Sequence, residues 1–186
     1  MKKEVMVKPE PAPLNKRVFA YVLDWYVGSA VSAIPAGILW NMSTGEAAVN
    51  TVLAAFESPY GLLAGILGIL AGALYFYLIP LCVWKGQTLG KKLMGIRIAR
   101  ENGEMLSAGE LALRQICGVM LLEATFIMTG DFLIQMVSML ILPIAGRMLS
   151  YVIFAAFAIS VCMVWKNKTA IHDVWVHSTV IEMKKD

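Results

Sequence analysis

The chain alternates long apolar runs with short polar ones. The first run, Val18–Trp40, reads VFAYVLDWYVGSAVSAIPAGILW and carries a single charge, Asp24. As an α-helix it would be about 35 Å long, enough to cross a hydrocarbon core of about 30 Å. Pro35 predicts a kink in it. The second run, Gly61–Trp84, reads GLLAGILGILAGALYFYLIPLCVW; the linker at 41–60 contains Glu46 and Glu57 but no Lys or Arg. A third region, 111–165, is apolar but interrupted by Glu123, Asp131 and Arg147. It reads as two crossings, about 111–129 and 148–165, separated by an external or re-entrant segment at 130–147. Three crossings in this region would put the C-terminal tail on the other side.

Charge selects between these counts. Of sixteen Lys and Arg, five precede residue 18, six lie between 85 and 114, and four follow residue 165; only Arg147 falls elsewhere. Lys and Arg favour the cytoplasmic side of a membrane, so all three basic stretches are expected there, joined by even numbers of helices. The predicted fold class is an all-α membrane protein of about four transmembrane helices, at 18–40, 61–84, 111–129 and 148–165. A small cytoplasmic β-hairpin or sheet is expected between helices 2 and 3 and at the C-terminus. Trp25, Trp40, Trp84, Trp165, Tyr60 and Tyr151 lie near predicted helix ends, as an interfacial aromatic belt would.

Composition agrees, with 59% apolar and 16% charged residues where soluble domains hold roughly half and a quarter. Residues 1–16 are polar, contain three prolines and lack the apolar core of a secretory signal, so they read as a flexible cytoplasmic tail. Residues 17–182 read as one membrane domain and 183–186 as a tail. Cys82, Cys117 and Cys162 stand singly in apolar blocks and read as small buried residues.

The loop at 85–110 contains GQTLGKKLMGIRIARENG. Two glycines, a Thr and paired lysines suggest a phosphate loop, but Gly86 and Gly90 are one residue too close and Lys91 is followed by Lys92. The loop reads instead as lying at the membrane surface, with Lys85, Lys91 and Lys92 among anionic headgroups. Met94, Ile96 and Ile98 alternate with Gly95, Arg97 and Ala99, which predicts a strand at 94–100. Asn102-Gly103 predicts a hairpin turn with a short return strand near Glu104–Leu106. Ser107 and Glu110 form a capping box for the next helix. The C-terminal VWVHSTVIE also reads as a strand and is expected to pair with 94–100. In helix 2, Gly61, Gly65, Gly68 and Gly72 share one face. They form a close-packing surface for a helix of this chain or of a second copy.

Charges within apolar helices need a partner or a role. Arg17 and Asp24 are two helical turns apart, so they share a face without direct contact. Arg114 and Lys85 are the expected partners of Asp24. Asp24 reads either as part of a buried ionic network or as a carboxylate that exchanges a proton or cation, burial raising its pKa. Glu123 is a second candidate. In IHDVWVHS, His172, Asp173 and His177 have no placed nucleophile and no third metal ligand. The segment reads as a polar anchor, Asp173 meeting Arg97, Arg100 or Arg114. No catalytic, metal or cofactor motif is present, and neither enzymatic activity nor nucleic-acid binding is expected.

KRVFAYVLDW, then GQTLGKKLMGIRIARENG, LALRQI and IHDVWVHSTVI together resemble the RDD family of small membrane proteins, from about residue 14 to 182. The arginine and two aspartates of the family name correspond to Arg17, Asp24 and Asp173. The resemblance implies a multispanning protein, expected in a prokaryotic cytoplasmic membrane with both termini cytoplasmic. Some members have been connected with sodium/proton antiport, so it favours exchange of Na⁺ or another monovalent cation for protons. Asp24 would be the exchangeable carboxylate and Arg17, Arg114 and Asp173 would set its field, with His172 nearby. Four helices without an internal repeat would call for a homo-oligomer. The alternative is a non-transporting scaffold or accessory subunit whose basic cytoplasmic face binds anionic lipid or a partner protein. The long region 115–165 departs from the family pattern.

Overall fold

The computed structural model describes residues 10–122, 126–167 and 169–183. Helix α1 spans Leu14–Thr44, longer at both ends than the apolar run. Gly45 stops it by taking φ 76°, its N–H donating to Asn41 O at 2.8 Å, a left-handed cap that glycine adopts without strain. Its buried residues Ala20, Asp24, Gly28, Ser32 and Ala36 recur every four positions and form one narrow inward stripe.

After a 3₁₀ turn at Leu53–Ala55, α2 (Tyr60–Ala73) continues as a π-helical stretch, Leu74–Val83. Pro80 lies in this stretch and has no N–H to donate. The carbonyl of Phe76, four residues earlier, accepts instead from Gln115 Nε2 at 2.6 Å. Next come α3 (Leu89–Leu93), β1 (Ile96–Arg100) and α4 (Ala108–Ala112), itself extended by a π-helical Leu113–Leu122. The expected capping box is present: Glu110 N donates to Ser107 Oγ and Ser107 N to the Glu110 carboxylate. The chain ends in α5 (Met128–Leu140), α6 (Pro143–Asn167), α7 (Ile171–Trp175) and β2 (Ser178–Glu182). Among the described residues, three helices are long and apolar enough to cross a membrane: Leu14–Thr44, Tyr60–Val83 and Pro143–Lys166.

Three expectations need correction. Segment 130–147, expected to be an external or re-entrant link between two crossings, is a helical hairpin: α5, a turn at Ile141 and Leu142, and the start of α6. The buried face of α5 gives the reason, because Phe132 and Met136 pack against Gly68 and Gly65 of α2. The return strand near Glu104–Leu106 does not form. Gly103 N donates to Arg100 O and Arg100 N to Glu104 O, both at 2.8 Å, and pairing stops there. The partner of β1 is β2, antiparallel, with Ile98 opposite Val180; together they bury Ile96, Ile98, Val180 and Ile181. Residues 10–16 are not simply a tail. Pro11 bridges Ile181, Ala12 N donates to Val180 O at 2.7 Å, and α1 has begun by Leu14.

The glycine stripe is filled from within the chain. A Cβ on Gly68 would overlap the Phe132 ring, and one on Gly72 would overlap Thr129 Cγ2. Gly61 and Gly65 meet Leu53. The face therefore holds α2 against α1, α5 and the 3₁₀ turn and leaves no glycine surface for a second copy.

Replacing Gly72 by Leu is expected to destabilise the protein by about 1–3 kcal/mol through overpacking. Ile66→Leu, on the exposed face of the same helix, should stay within about 0.5 kcal/mol. Thermal unfolding in detergent compares the two, and equal melting temperatures would refute the packing role.

Candidate functional site

Asp24 lies on the inward stripe of α1, only 3% exposed, between Ala20 and Gly28, whose small side chains leave room beside it. The loop at 85–93 comes to it. Gly86, at φ 85°, donates to Pro80 O at 2.6 Å and accepts from Ile98 N at 2.8 Å; Gln87 Nε2 donates to Ile96 O at 2.8 Å. These bonds fix the start of the loop. Thr88 to Lys91 then surround the carboxylate. Oδ1 accepts from Tyr75 Oη and Gly90 N, both at 2.8 Å, and Oδ2 from Lys91 Nζ at 2.9 Å and from the Thr88 hydroxyl. A Cβ on Gly90 would overlap Ala20 O, so only glycine lets the loop approach this closely. The glycine-, Thr- and Lys-bearing stretch does cradle an anion, and the anion is the chain's own carboxylate.

This corrects the expected partners. Arg114 and Lys85 do not pair with Asp24. Lys91 faces Asp24 with its side chain 16% exposed, not the headgroups. Lys92 is exposed, its Nζ 4.3 Å from the centre of the Trp84 ring, and Lys85 is exposed as well.

Asp173, fully buried on α7, organises a second cluster. Its carboxylate accepts from Arg114 Nε at 3.0 Å and Nη2 at 2.7 Å, Ser178 Oγ at 3.0 Å, Arg17 Nη2 at 3.3 Å and Ala170 N at 3.2 Å. Arg114, 2% exposed, also reaches Gln115 Oε1 at 2.9 Å and Ser178 Oγ at 3.2 Å. His172 Nε2 lies 3.8 Å from Asp173 Oδ1. Of the three arginines considered for Asp173, Arg114 is the one it meets. Arg100 binds Glu110 at 2.7 Å and Arg97 reaches Gly103 O at 3.3 Å. The Arg100 and Ser107 hydrogen bonds hold Glu110 down to about 2. Burial alone would raise the Asp173 carboxyl. The charges of Arg114, His172 and Arg17, with the Ala170 N–H, outweigh it and hold the group well below the usual carboxylate range.

Arg17 and Asp24 thus belong to different clusters, but both line one cavity of about 350 Å³ between α1 and α6, together with Lys91, Arg114, Gln115 and His172. Glu123 lies outside the described residues. Among the described residues no group of His, Cys, Asp and Glu is arranged to hold a metal ion. The sequence reading missed Tyr75, Thr88, Gln115 and Ser178. The four-residue spacing of Ala20, Asp24, Gly28, Ser32 and Ala36 was the available sign that Asp24 faces inward. Its partners sit on a loop whose path no periodicity gives.

A model of the RDD family matches residues 11–177. No curated protein and no solved structure matches the chain.

Asp173→Asn is expected to cost about 3–5 kcal/mol, because it leaves two buried guanidinium groups short of their counter-charge. The folded pKa of Asp173 lies below its unfolded value of about 3.9. Its contribution is therefore complete above about pH 4 and lost as pH falls further. Melting curves from pH 7 to 3 should show the gap between the native protein and the Asp173→Asn variant narrowing below about pH 4 without closing; a constant gap would refute the ion-pair assignment. At the other cluster, Asp24→Ala removes the shared acceptor of four donors, with Lys91 Nζ keeping Thr88 Oγ1 at 3.2 Å, whereas Lys91→Ala removes one donor of four. The first should be the more destabilising by about 1 kcal/mol or more, and should speed tryptic cleavage after Lys92.

Proposed function

This chain belongs to the RDD family, and from that premise we propose that it is a non-transporting integral membrane module whose basic face binds anionic lipid. The observation that carries the reading is that, among the described residues, the segment bearing Lys16 and Arg17, the segment from Lys85 to Arg114 and the C-terminal strand meet at one end of the molecule. Residues 11–12, β1 and β2 are hydrogen-bonded together, Lys16 pairs with Glu182, and Arg17 and Arg114 share Asp173. Exposed Lys85 and Lys92 stand at this end, Lys92 on the Trp84 ring. A cation over an aromatic ring suits the headgroup layer, and each exposed basic residue there contributes about 1 kcal/mol toward an anionic surface.

The same gathering supports a cytoplasmic location for this end and for both termini, by the preference of Lys and Arg for that side. An even number of crossings goes with it. The third would be made by the α4 extension and α5 together, and the fourth by α6. Leu53 N donates to Gln135 Oε1 at 2.8 Å and Gln135 Nε2 to Thr51 O at 3.0 Å. These bonds tie α5 to the linker after α1, far from the sheet. The coordination of Asp24 supports a structural role for it: an ionised carboxylate has about four lone-pair sites, and four donors fill them.

One observation favours a second reading. Lys91 and Asp24 both line the cavity, and a monovalent cation that took the place of the Lys91 ammonium at Asp24, with Lys91 giving up one proton, would exchange one cation for one proton. Proteoliposomes with an internal pH dye, given Na⁺, Li⁺ or K⁺ pulses, separate the readings. No cation-driven pH change is expected from the folded native protein. A change that disappears in folded Asp24→Asn would establish exchange instead. For the lipid-binding reading, adding phosphatidylglycerol to the detergent should raise the melting temperature by several degrees more than phosphatidylcholine, since a ligand of the native state stabilises it. Lys85→Ala/Lys92→Ala should lose most of that difference; an equal response to both lipids in the native protein would sink the reading.

A further inference from the structure

Asp131 belongs to neither carboxylate cluster. It is exposed, and its Oδ2 accepts from Gln135 Nε2 at 2.7 Å. Among the described residues no donor reaches Oδ1, and no Lys, Arg or His pairs with the carboxylate. Its depth makes that costly. Thr129 and Phe132, on either side of it along α5, pack at Gly72 and Gly68 of α2. Those two glycines bracket the middle of the apolar span Tyr60–Val83. Asp131 therefore stands near the middle of the bilayer, where a carboxylate needs a partner. Lys and Arg can extend to the headgroup layer from such a depth, but an aspartate is too short.

Arg147 is the complementary case. It is exposed, and among the described residues no Asp or Glu pairs with it. It follows Gly146, which packs beside Ile134 and Ser138 of α5. Asp131 precedes Ile134 by three positions and Ser138 by seven, so it shares their side of α5 and both charges flank the α5–α6 contact. Arg147 lies about 5–10 Å from Asp131 along the bundle by helical rise. After Arg147, Tyr151, Phe154 and Ala158 are exposed at i+4, i+7 and i+11 and continue one face of α6. Only 11% of the α6 span is buried, against 28% and 33% of the other two, so nothing in the chain covers that face.

We propose that a second copy of this chain covers this face, with Asp131 of each protomer paired to Arg147 of the other. A two-fold axis along the membrane normal keeps equal depths in the two copies, so one such pair implies the other. Each pair gives the open carboxylate oxygen a guanidinium donor and takes two charges out of contact with hydrocarbon. The face of Tyr151, Phe154 and Ala158 adds the close packing that holds membrane helices together. The chain carries the matching cation itself, at a depth its own side chain can span, which favours a second copy over an unrelated helix. The glycines of α2 play no part, since they are filled from within the chain. The lipid-binding reading is independent of this interface, because Lys85 and Lys92 lie at the other end of the bundle.

Native mass spectrometry of the full chain from mild detergent, over a range of protein concentrations, tests this. The native protein is expected to form a dimer. Asp131→Asn alone and Arg147→Gln alone should each lower the dimer fraction at least fivefold while circular dichroism shows native helix content. The two variants are then mixed, each with a tag of different mass. A mixed dimer keeps one native Asp131–Arg147 pair, whereas either variant with itself keeps none. The mixed dimer should therefore exceed each variant's own dimer at least fivefold. Ala158→Trp crowds the face without touching a charge, should lower the dimer fraction likewise, and serves if a charge variant does not fold. A native protein that stays monomeric at every concentration, or a dimer fraction unchanged in the folded variants, would overturn the interface. So would a mixture no more dimeric than its components, which would place the pair within one chain.

Discussion

A carboxylate inside an apolar helix has to be satisfied, and the structure around α3 follows from that constraint. Asp24 sits nearly three turns inside α1, the longest helix among the described residues. In hydrocarbon its charge is costly by several kcal/mol, and water cannot serve it. The loop after the second helix supplies an ammonium, a hydroxyl and a backbone N–H, and Tyr75 of the π-helical stretch supplies a second hydroxyl, in place of water. Delivering those groups fixes the loop against α1. Gly90 must pass beside Ala20 O, and Gly86 must turn at positive φ to start the descent. β1 then leaves the loop in a defined direction, with Ile98 N bonded to Gly86 O.

The second carboxylate extends the same logic to the C-terminal segment. Asp173 links α7 to α1 through Arg17 and to the α4 extension through Arg114, and Ser178 carries the link into β2. Both clusters therefore join elements that are remote in sequence, and both lie near the end where the small sheet forms. Two strands alone are marginal. Here β1 and β2 are held from one side by the Asp24 loop and from the other by Asp173, with residues 11–12 along β2. The arginine and the two aspartates of the family name act in different pairs, yet Arg17 and Asp24 line one cavity because α1 carries both, and Asp173 is tied to it through Arg17.

Elsewhere packing is governed by shape rather than charge. Without water to expel, helices in a bilayer associate through close contact. The glycines of α2 provide it, receiving Phe132, Thr129 and Met136 of α5 and the backbone of α1. α6 is different. It packs on α5 and diverges from α1, and the divergence opens the groove whose polar end the two ionic clusters line.

Several features were legible in residue order alone. Apolar run lengths gave the two N-terminal membrane helices, because crossing a bilayer requires a minimum length. The Ser107–Glu110 cap and the strand character of 94–100 and the C-terminus are local, set by hydrogen bonds and alternation within a few residues. The glycine face of α2 follows from helical period. What pairs with what did not follow. Arg114 and Lys85 were the cations that residue order offered Asp24, and Lys91 replaces them only because Gly90 lets the loop reach α1. Segment 130–147 was set between two crossings by the charge count, and its helical packing follows only from Phe132 and Met136 meeting the glycines. The sequence by itself determined which segments are apolar, basic and helical, since those properties are local. Only the tertiary structure decided the ion pairs, the helical hairpin and the cavity, because each depends on distances between residues that the chain order leaves free.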